Sequence, residues 1–364
     1  MPYLKRIVIQ DFRNIELQEL EFSPNVNCIS GGNGEGKTNL LDAIWYLSMT
    51  KSAIAPSDQF NFRYGTRAFA LGGLYGMPDG TTSRFSLKVE DGEKKIRRDD
   101  KPYTRISDHI GVLPIVMVSP SDVSLVSEAG DERRRFVNSV LSQIDREYLS
   151  AVQQYNRLLL QRNTLLRNGQ ADEDLLATFD ARLAALAEPI FGRRAGFVEE
   201  LTPIVRQYYA RISGGREDVS IDYRSDLKKG GLEALLKEHR EQDLNLRYTT
   251  AGIQRDDFIF RMGEHPIRRC GSQGQQKSFL VAVKFAQYEI MKKACGTPPM
   301  LLLDDLFDKL DMKRVSNLLE MVAGSEFGQI FITDSNKVRI SGIVDSITAD
   351  RTYFEAAGGV FTAQ

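Results

Sequence analysis

Apolar positions near the start of the chain alternate with polar ones. Leu4, Ile7 and Ile9 begin one stretch, Leu17, Leu20 and Phe22 sit in another, and Val26-Asn27-Cys28-Ile29-Ser30 is short and of buried character. This pattern predicts strands. A glycine-rich turn follows, after which Leu40, Leu41, Ile44, Trp45 and Leu47 recur at helical spacing. From Phe69 to Val118 the pattern is strand-like again, punctuated at Gly72-Gly73, Asp79-Gly80 and Asp91-Gly92. Val112 to Val118 is almost wholly apolar, as a strand covered on both faces would be.

The periodicity then changes. Leu149, Val152, Tyr155, Leu159 and Leu166 mark one long helix, and Leu176, Phe179, Leu183, Leu186 and Ile190 another, with Asn168-Gly169 as the turn between them. Pro189 or Pro203 is expected to kink or break the helical stretch at that point. Strand and helix signals mix again after Tyr248, including Met300-Leu301-Leu302-Leu303 and Ile330-Phe331-Ile332-Thr333. The layout is an α/β domain interrupted by a helical insertion: a first part over 1–130, a helical lobe over 131–247, and a returning part over 248–364. The flanking parts must reassemble, because each apolar strand needs neighbours.

Composition narrows the classes. The 364 residues are 42% hydrophobic and 27% charged, with 48 Lys+Arg against 49 Asp+Glu. A formal net charge of −1 excludes a protein held to nucleic acid by its whole-molecule field, so a phosphate-binding surface must be a local patch. The cysteines Cys28, Cys270 and Cys295 form no short-spaced pair, which argues against a zinc knuckle or a disulfide framework. No run of eighteen apolar residues exists and no signal-peptide core opens the chain. A cytoplasmic protein with no membrane segment is expected.

Gly31-Gly32-Asn33-Gly34-Glu35-Gly36-Lys37-Thr38 fits G-x-x-x-x-G-K-[ST], after a predicted strand and at the start of a predicted helix. Glycines let successive backbone N–H groups turn inward as an anion nest, and the helix N-terminus adds partial positive charge. Lys37 would reach the β- and γ-phosphates of a nucleotide, and the Thr38 hydroxyl would ligate Mg²⁺. A loop of this kind serves kinases, GTPases, transporters and DNA machines alike. Leu301-Leu302-Leu303-Asp304-Asp305 adds an apolar strand ending in two carboxylates, Asp304 for the Mg²⁺ shell and Asp305 to orient or deprotonate the attacking water. Ser272-Gln273-Gly274-Gln275-Gln276 precedes a helix, which makes either an N-cap or an anion site complementary to a γ-phosphate.

The order of these segments, completed by Leu310-Asp311, resembles an ABC-type ATPase head with a mainly α-helical inserted second lobe. In that architecture two heads face each other, with each ATP between one phosphate loop and the partner's signature serine. The resemblance implies Ser272, Gln273, Gly274 and Gln275 acting in trans, with Asp311 in the D-loop near the interface. A metabolite kinase and another ABC-type ATPase subunit are the alternatives. The placement of Ser272-Gln273-Gly274-Gln275-Gln276 disfavours the first, and the long insertion disfavours the second.

Further stretches narrow the resemblance: Phe12-Arg13-Asn14, Val118-Ser119-Pro120-Ser121-Asp122, Glu132-Arg133-Arg134-Arg135-Phe136 and Thr250-Ala251-Gly252-Ile253-Gln254-Arg255-Asp256-Asp257. Together they closely resemble the RecF family of bacterial recombination-repair ATPases, related to the SMC and Rad50 heads. The family implies an ATP-dependent homodimer that binds DNA near single-strand/double-strand junctions and acts with RecO and RecR partners to place recombinase on gapped DNA. Roles in replication recovery and the SOS response follow from it. It also implies Arg13, Asn14 and Asn39 as nucleotide-site residues. Family members commonly carry His where this chain has Gln254, and the switch His of transporters is replaced by Ile332-Thr333-Asp334-Ser335. No Gln occupies the usual loop position near Ser119-Pro120. Asp305 stands where transporters use Glu, one methylene longer, so hydrolysis is expected to be slow.

In a near-neutral chain the DNA contacts must be local. Lys94, Lys95, Arg97 and Arg98 on a hairpin are the first candidates. Arg133 to Arg135, Arg193, Arg194, Lys228, Lys229, Lys292 and Lys293 are others. No aromatic-basic interleaving forms a base-stacking platform, so the expected binding is phosphate-dominated and salt-sensitive.

Overall fold

The computed structural model describes residues 2–128, 130–169, 172–215, 217–305, 327–336, 342, 344–345 and 348–364. The chain divides into two compact units, Met1–Asp122 with Gln287–Gln364, and Val123–Ala286. No helix among the described residues is long and apolar enough to cross a membrane.

The first unit begins with β1 (Tyr3–Phe12), β2 (Ile15–Glu21), β3 (Val26–Ser30) and α1 (Lys37–Met49). β4 (Ala68–Gly76), β5 (Thr82–Glu90), β6 (Glu93–Arg98), β7 (Lys101–Pro102) and β8 (Ile115–Val118) follow. One six-stranded sheet runs β2-β1-β4-β5-β6-β7. Its strands pair antiparallel, and β1 buries Leu4, Ile7, Ile9 and Phe12. The odd spacing from Leu4 to Ile7 coincides with a register shift between Leu4 and Arg6, an irregularity that returns both side chains to the same face. β3 is buried at every position because it lies inside a second sheet, paired in parallel on both sides.

The second unit contains α2 (Val123–Ser127), α3 (Gly130–Ile144), α4 (Arg146–Asn168), α5 (Glu173–Ser213), β9 (Val219–Arg224), α6 (Leu232–Glu238) and α7 (Arg240–Leu246). It continues through β10 (Asp257–Met262), β11 (His265–Pro266), α8 (Ile267–Cys270) and into α9 (Gln273–Cys295). α4 starts on Asp145, whose side chain accepts from the Tyr148 N–H, and ends on Gly169 in the left-handed conformation, at the expected turn. α5 runs for 41 residues through both Pro189 and Pro203, so neither proline ends the helix. Burial along α5, from Leu176 through Leu183, Ile190, Phe197, Leu201 and Val205 to Tyr209, holds it across those positions. Inside the lobe Arg162 is fully buried, paired with Asp180 at 2.8 Å and Asp243 at 2.7 Å.

This unit reaches Ala286, beyond the expected boundary at 247. The reason is pairing: β10 lies antiparallel to β9, and Arg133 of α3 grips Asp257 at 2.8 and 3.2 Å. Among the described residues, the first unit continues through the end of α9 to β12 (Met300–Leu303), β13 (Ile330–Asp334), β14 (Arg351–Ala357) and β15 (Val360–Ala363). Its second sheet runs β15-β14-β3-β13-β12-β8, so strands from both ends of the chain share one core.

Candidate nucleotide site

Three parallel strands end at one edge of this sheet, and the residues after or at each end build the site. β3 leads into the glycine loop, β12 into Asp304 and Asp305, and β13 carries Thr333 and Asp334. The register puts Leu303 beside both Val118 and Ile332, and Thr333 beside Ile29. Carboxyl ends of parallel strands are where α/β sheets hold ligands.

The loop takes its shape from glycine. Gly36 has φ +105°, and a Cβ there would stand 2.8 Å from the Asn14 amide; at Gly31 it would stand 2.5 Å from the Ala356 carbonyl oxygen. α1 starts at Lys37 with no capping side chain and no acid in its first turn, which leaves its positive end uncompensated. Lys37 is buried, and its Nζ donates to the carbonyls of Gly31 (2.8 Å) and Gly32 (2.9 Å). The tip of the loop is tied to the β14–β15 turn, where the Gly359 N–H donates to the Glu35 carbonyl at 2.9 Å.

Thr38 donates to both carboxylate oxygens of Asp304, at 3.0 and 2.9 Å. Burial pushes the Asp304 carboxyl above its ordinary range, and the adjacent Asp305 adds to the rise, against the hydroxyls of Thr333 and Thr38. Two hard oxygens converging beside the glycine loop fit Mg²⁺, which takes few protein ligands and completes its shell with phosphate and water. Among the described residues no group of three or more His, Cys, Asp or Glu gathers as an all-protein metal site.

Other expected site residues brace this cradle. The Arg13 guanidinium bonds Asp42 at 2.7 Å, Asn39 at 2.9 Å, Ser52 at 3.0 Å and Asn61 at 3.1 Å, so it ties α1 to the loop after it. Asp42 is fully buried, and burial raises its carboxyl despite that cation. Asn39 donates to the Asn14 side chain at 2.7 Å. Thr333 is a site residue that the sequence pattern leaves unassigned: its hydroxyl donates to Asp304 at 2.7 Å and accepts from the Asp305 N–H at 3.0 Å. A buried polar residue ending an apolar strand is the signal that could have found it.

At the start of α9, Ser272 and Gln275 form a capping box. The Gln275 N–H donates to the Ser272 hydroxyl at 3.3 Å, and the Ser272 N–H to Gln275 Oε1 at 2.7 Å. Gln275 also donates to Glu217 at 2.8 Å, and Ser272 and Gln273 are exposed beside Gly274. Asp311 lies outside the described residues. Gln254 accepts from the Tyr155 hydroxyl at 2.5 Å and donates to the Ala251 carbonyl at 2.7 Å.

The four hairpin cations split by strand alternation. Lys94 turns inward to the Thr50 carbonyl (2.6 Å), Asp58 (2.9 Å) and the face of the Tyr46 ring, and Arg98 lies over Phe85. That geometry leaves Lys94 half-buried and paired with Asp58, on the face opposite Lys95 and Arg97. Lys95 and Arg97 point to the opposite face and line a groove of about 440 Å³ with Lys88, over small residues such as Ala70 and Gly72. The Arg97 guanidinium has no ion-pair or hydrogen-bond partner among the described residues, whereas Lys95 pairs with Glu93 at 3.2 Å and Lys88 with Glu90 at 2.7 Å. In the lobe, Arg133 and Arg194 are buried on Asp257 and Asp256, and Arg193 pairs with Asp145 at 2.7 Å.

The model of an AAA domain family matches residues 6–247. The DNA replication and repair protein RecF of Phocaeicola vulgatus is 44% identical over 362 residues, 99% of this chain and 98% of the relative. The chain belongs to the RecF family. RecF of Flavobacterium johnsoniae is 40% identical over 349 residues, covering 94% of this chain and 97% of the relative. A solved structure of RecF-ATP, the recombination mediator protein of the RecFOR pathway, superposes with TM-score 0.90 at 29% identity, covering 100% of this chain and 98% of that one. An Smc head domain from Pyrococcus furiosus shares the fold, with TM-score 0.59 at 15% identity over 100% of this chain and 96% of its own. The RecF fold is therefore an ABC-type α/β ATPase head.

Proposed function

We propose that the protein is an ATP-hydrolysing switch of recombinational DNA repair. The observation that carries the reading is the meeting of Lys37, Thr38 and Asp304 at the end of a glycine loop, in a chain of the RecF family. Lys37 exchanges its carbonyl partners for the β- and γ-phosphates, and the N–H groups of the loop and of α1 take the remaining phosphate charge. Thr38 and Asp304 would hold Mg²⁺, which would supply charge neutralisation at the phosphate oxygens. Asp305 orients the water in line with the γ-phosphorus and accepts its proton as the bond to the leaving ADP breaks. The shorter acid makes turnover slow, below the enzyme median of about 10 s⁻¹.

The signature segment completes the site from a second copy, Ser272 meeting the partner's γ-phosphate, so ATP closes a homodimer and hydrolysis reopens it. The closed dimer binds single-strand/double-strand junctions in the cytoplasm and works with RecO- and RecR-type proteins to load recombinase, in replication recovery and the SOS response. The groove lined by Lys95 and Arg97 takes phosphates of the DNA backbone.

Binding to gapped and to blunt duplex DNA, each with and without Mg-ATP, tests the proposal. Expected are tighter binding to gapped DNA with ATP and a steep loss with salt. Lys95→Glu with Arg97→Glu should weaken both substrates alike and reduce the salt slope by about 0.9 for each phosphate no longer neutralised. Binding indifferent to ATP, or flat between low and moderate salt, contradicts it.

A further inference from the structure

Thr333 stands at the end of β13, directly across from the point where β12 gives way to the two acids. Its side chain is fully buried, and its hydroxyl is used in both directions: it donates to Asp304 Oδ1 at 2.7 Å and accepts from the Asp305 N–H at 3.0 Å. Asp304 is thus held from two sides, by Thr38 from the phosphate loop and by Thr333 from the neighbouring strand. Asp305 has φ +41°, the left-handed region that a residue with a Cβ enters at a cost. Such a turn sends the chain sharply away from the strand direction, so where the Asp305 carboxylate points depends on what anchors its backbone.

Resting on the ATPase reading above, we propose that Thr333 is a positioning residue that aligns the metal-holding acid with the water-orienting acid through one hydroxyl. It touches neither nucleotide nor water. Its hydrogen to Asp304 fixes that carboxylate's rotation toward Thr38, and its lone pair keeps the Asp305 N–H in place, hence the left-handed turn and the aim of the second carboxylate. Ligand-orienting groups of this kind typically contribute 10- to 100-fold to metal affinity or activity.

Thr333→Val removes the hydroxyl and keeps a β-branched residue suited to a strand; Thr333→Ser keeps the hydroxyl. Steady-state ATP hydrolysis and a Mg²⁺ titration of the ATP-dependent rise in melting temperature are measured on both. The expected result for Thr333→Val is a kcat reduced about 10- to 100-fold, a Mg²⁺ requirement raised several-fold, and a KM for ATP within about threefold of the parent. Thr333→Ser should restore kcat and the Mg²⁺ midpoint to within about threefold, a rescue that a packing role alone would not give.

Thr333→Val with parental kcat and Mg²⁺ requirement overturns the proposal, as does a Thr333→Ser variant as impaired as the valine. Should the valine variant not fold, hydrogen exchange on the parent protein decides: slow exchange at the Asp305 amide supports the anchor, and free exchange overturns it. Lys37→Ala, run alongside, separates the two levels. Turnover surviving in Lys37→Ala removes the ATPase reading, whereas its loss together with a parental Thr333→Val removes only the role of Thr333.

Discussion

Lys37, Thr38 and Asp304 each have a partner on their own chain, and Lys37 and Asp304 are buried; Ser272 and Gln273 are exposed, with the Ser272 hydroxyl occupied, among the described residues, only by a 3.3 Å capping bond. The cradle is a site closed on itself. Its lysine donates to two carbonyls of the loop, and its acid is buried at a cost that a cation would relieve. The start of α9 is the reverse: a helix N-terminus with no acid in its first turn and polar side chains facing solvent. The contrast is between side chains already paired at the glycine loop and an exposed helix start whose polar groups are bound only weakly within the chain, and it is the contrast that the proposed two-copy site depends on.

The largest effect expected from breaking the cradle comes from Lys37→Ala, which removes the cation that the proposed mechanism turns to the phosphates. Turnover of ATP should fall at least about 100-fold, read by phosphate release, with the melting temperature of the ATP-free protein little changed.

A smaller and more pointed effect uses the sign of the Asp304 shift. Its folded pKa lies above its unfolded value of 3.8, so the fold favours the protonated acid and loses stability as the pH rises from 3.8 through the raised value. Asp304→Asn, which stays neutral, should therefore raise the melting temperature of the metal-free protein at neutral pH and lose that advantage in acid. The same variant should no longer be stabilised by Mg-ATP. Ser272→Ala should do the opposite in the absence of nucleotide, costing about 1 kcal/mol through the lost cap. Equal and same-signed shifts would erase the contrast between the two regions.

Much of the cradle is legible in the sequence because it is local: loop glycines, Lys37 and Thr38 are consecutive, and the strand–loop–helix context follows from apolar spacing alone. The role of Thr333 is not, because it depends on the parallel register that sets β13 beside β12. Family resemblance marks Arg13 as a nucleotide residue; its bonds to Asp42, Asn39 and Asn61 arise from chain segments that only the fold brings together. For the hairpin, a run of cations can be counted, but the strand phase that turns Lys94 inward and leaves Lys95 and Arg97 on the groove needs the sheet. α5 crosses two prolines because lobe packing outweighs their local preference, and the lobe extends to Ala286 because strand pairing respects no sequence punctuation.

Sedimentation velocity of the protein and of Ser272→Arg, with and without Mg-ATP, addresses the two-copy site directly. The account predicts a dimer for the parent only with Mg-ATP, and a monomer for the variant that still binds ATP. A parent that stays monomeric under saturating nucleotide, or a variant that loses nucleotide binding together with assembly, would contradict it.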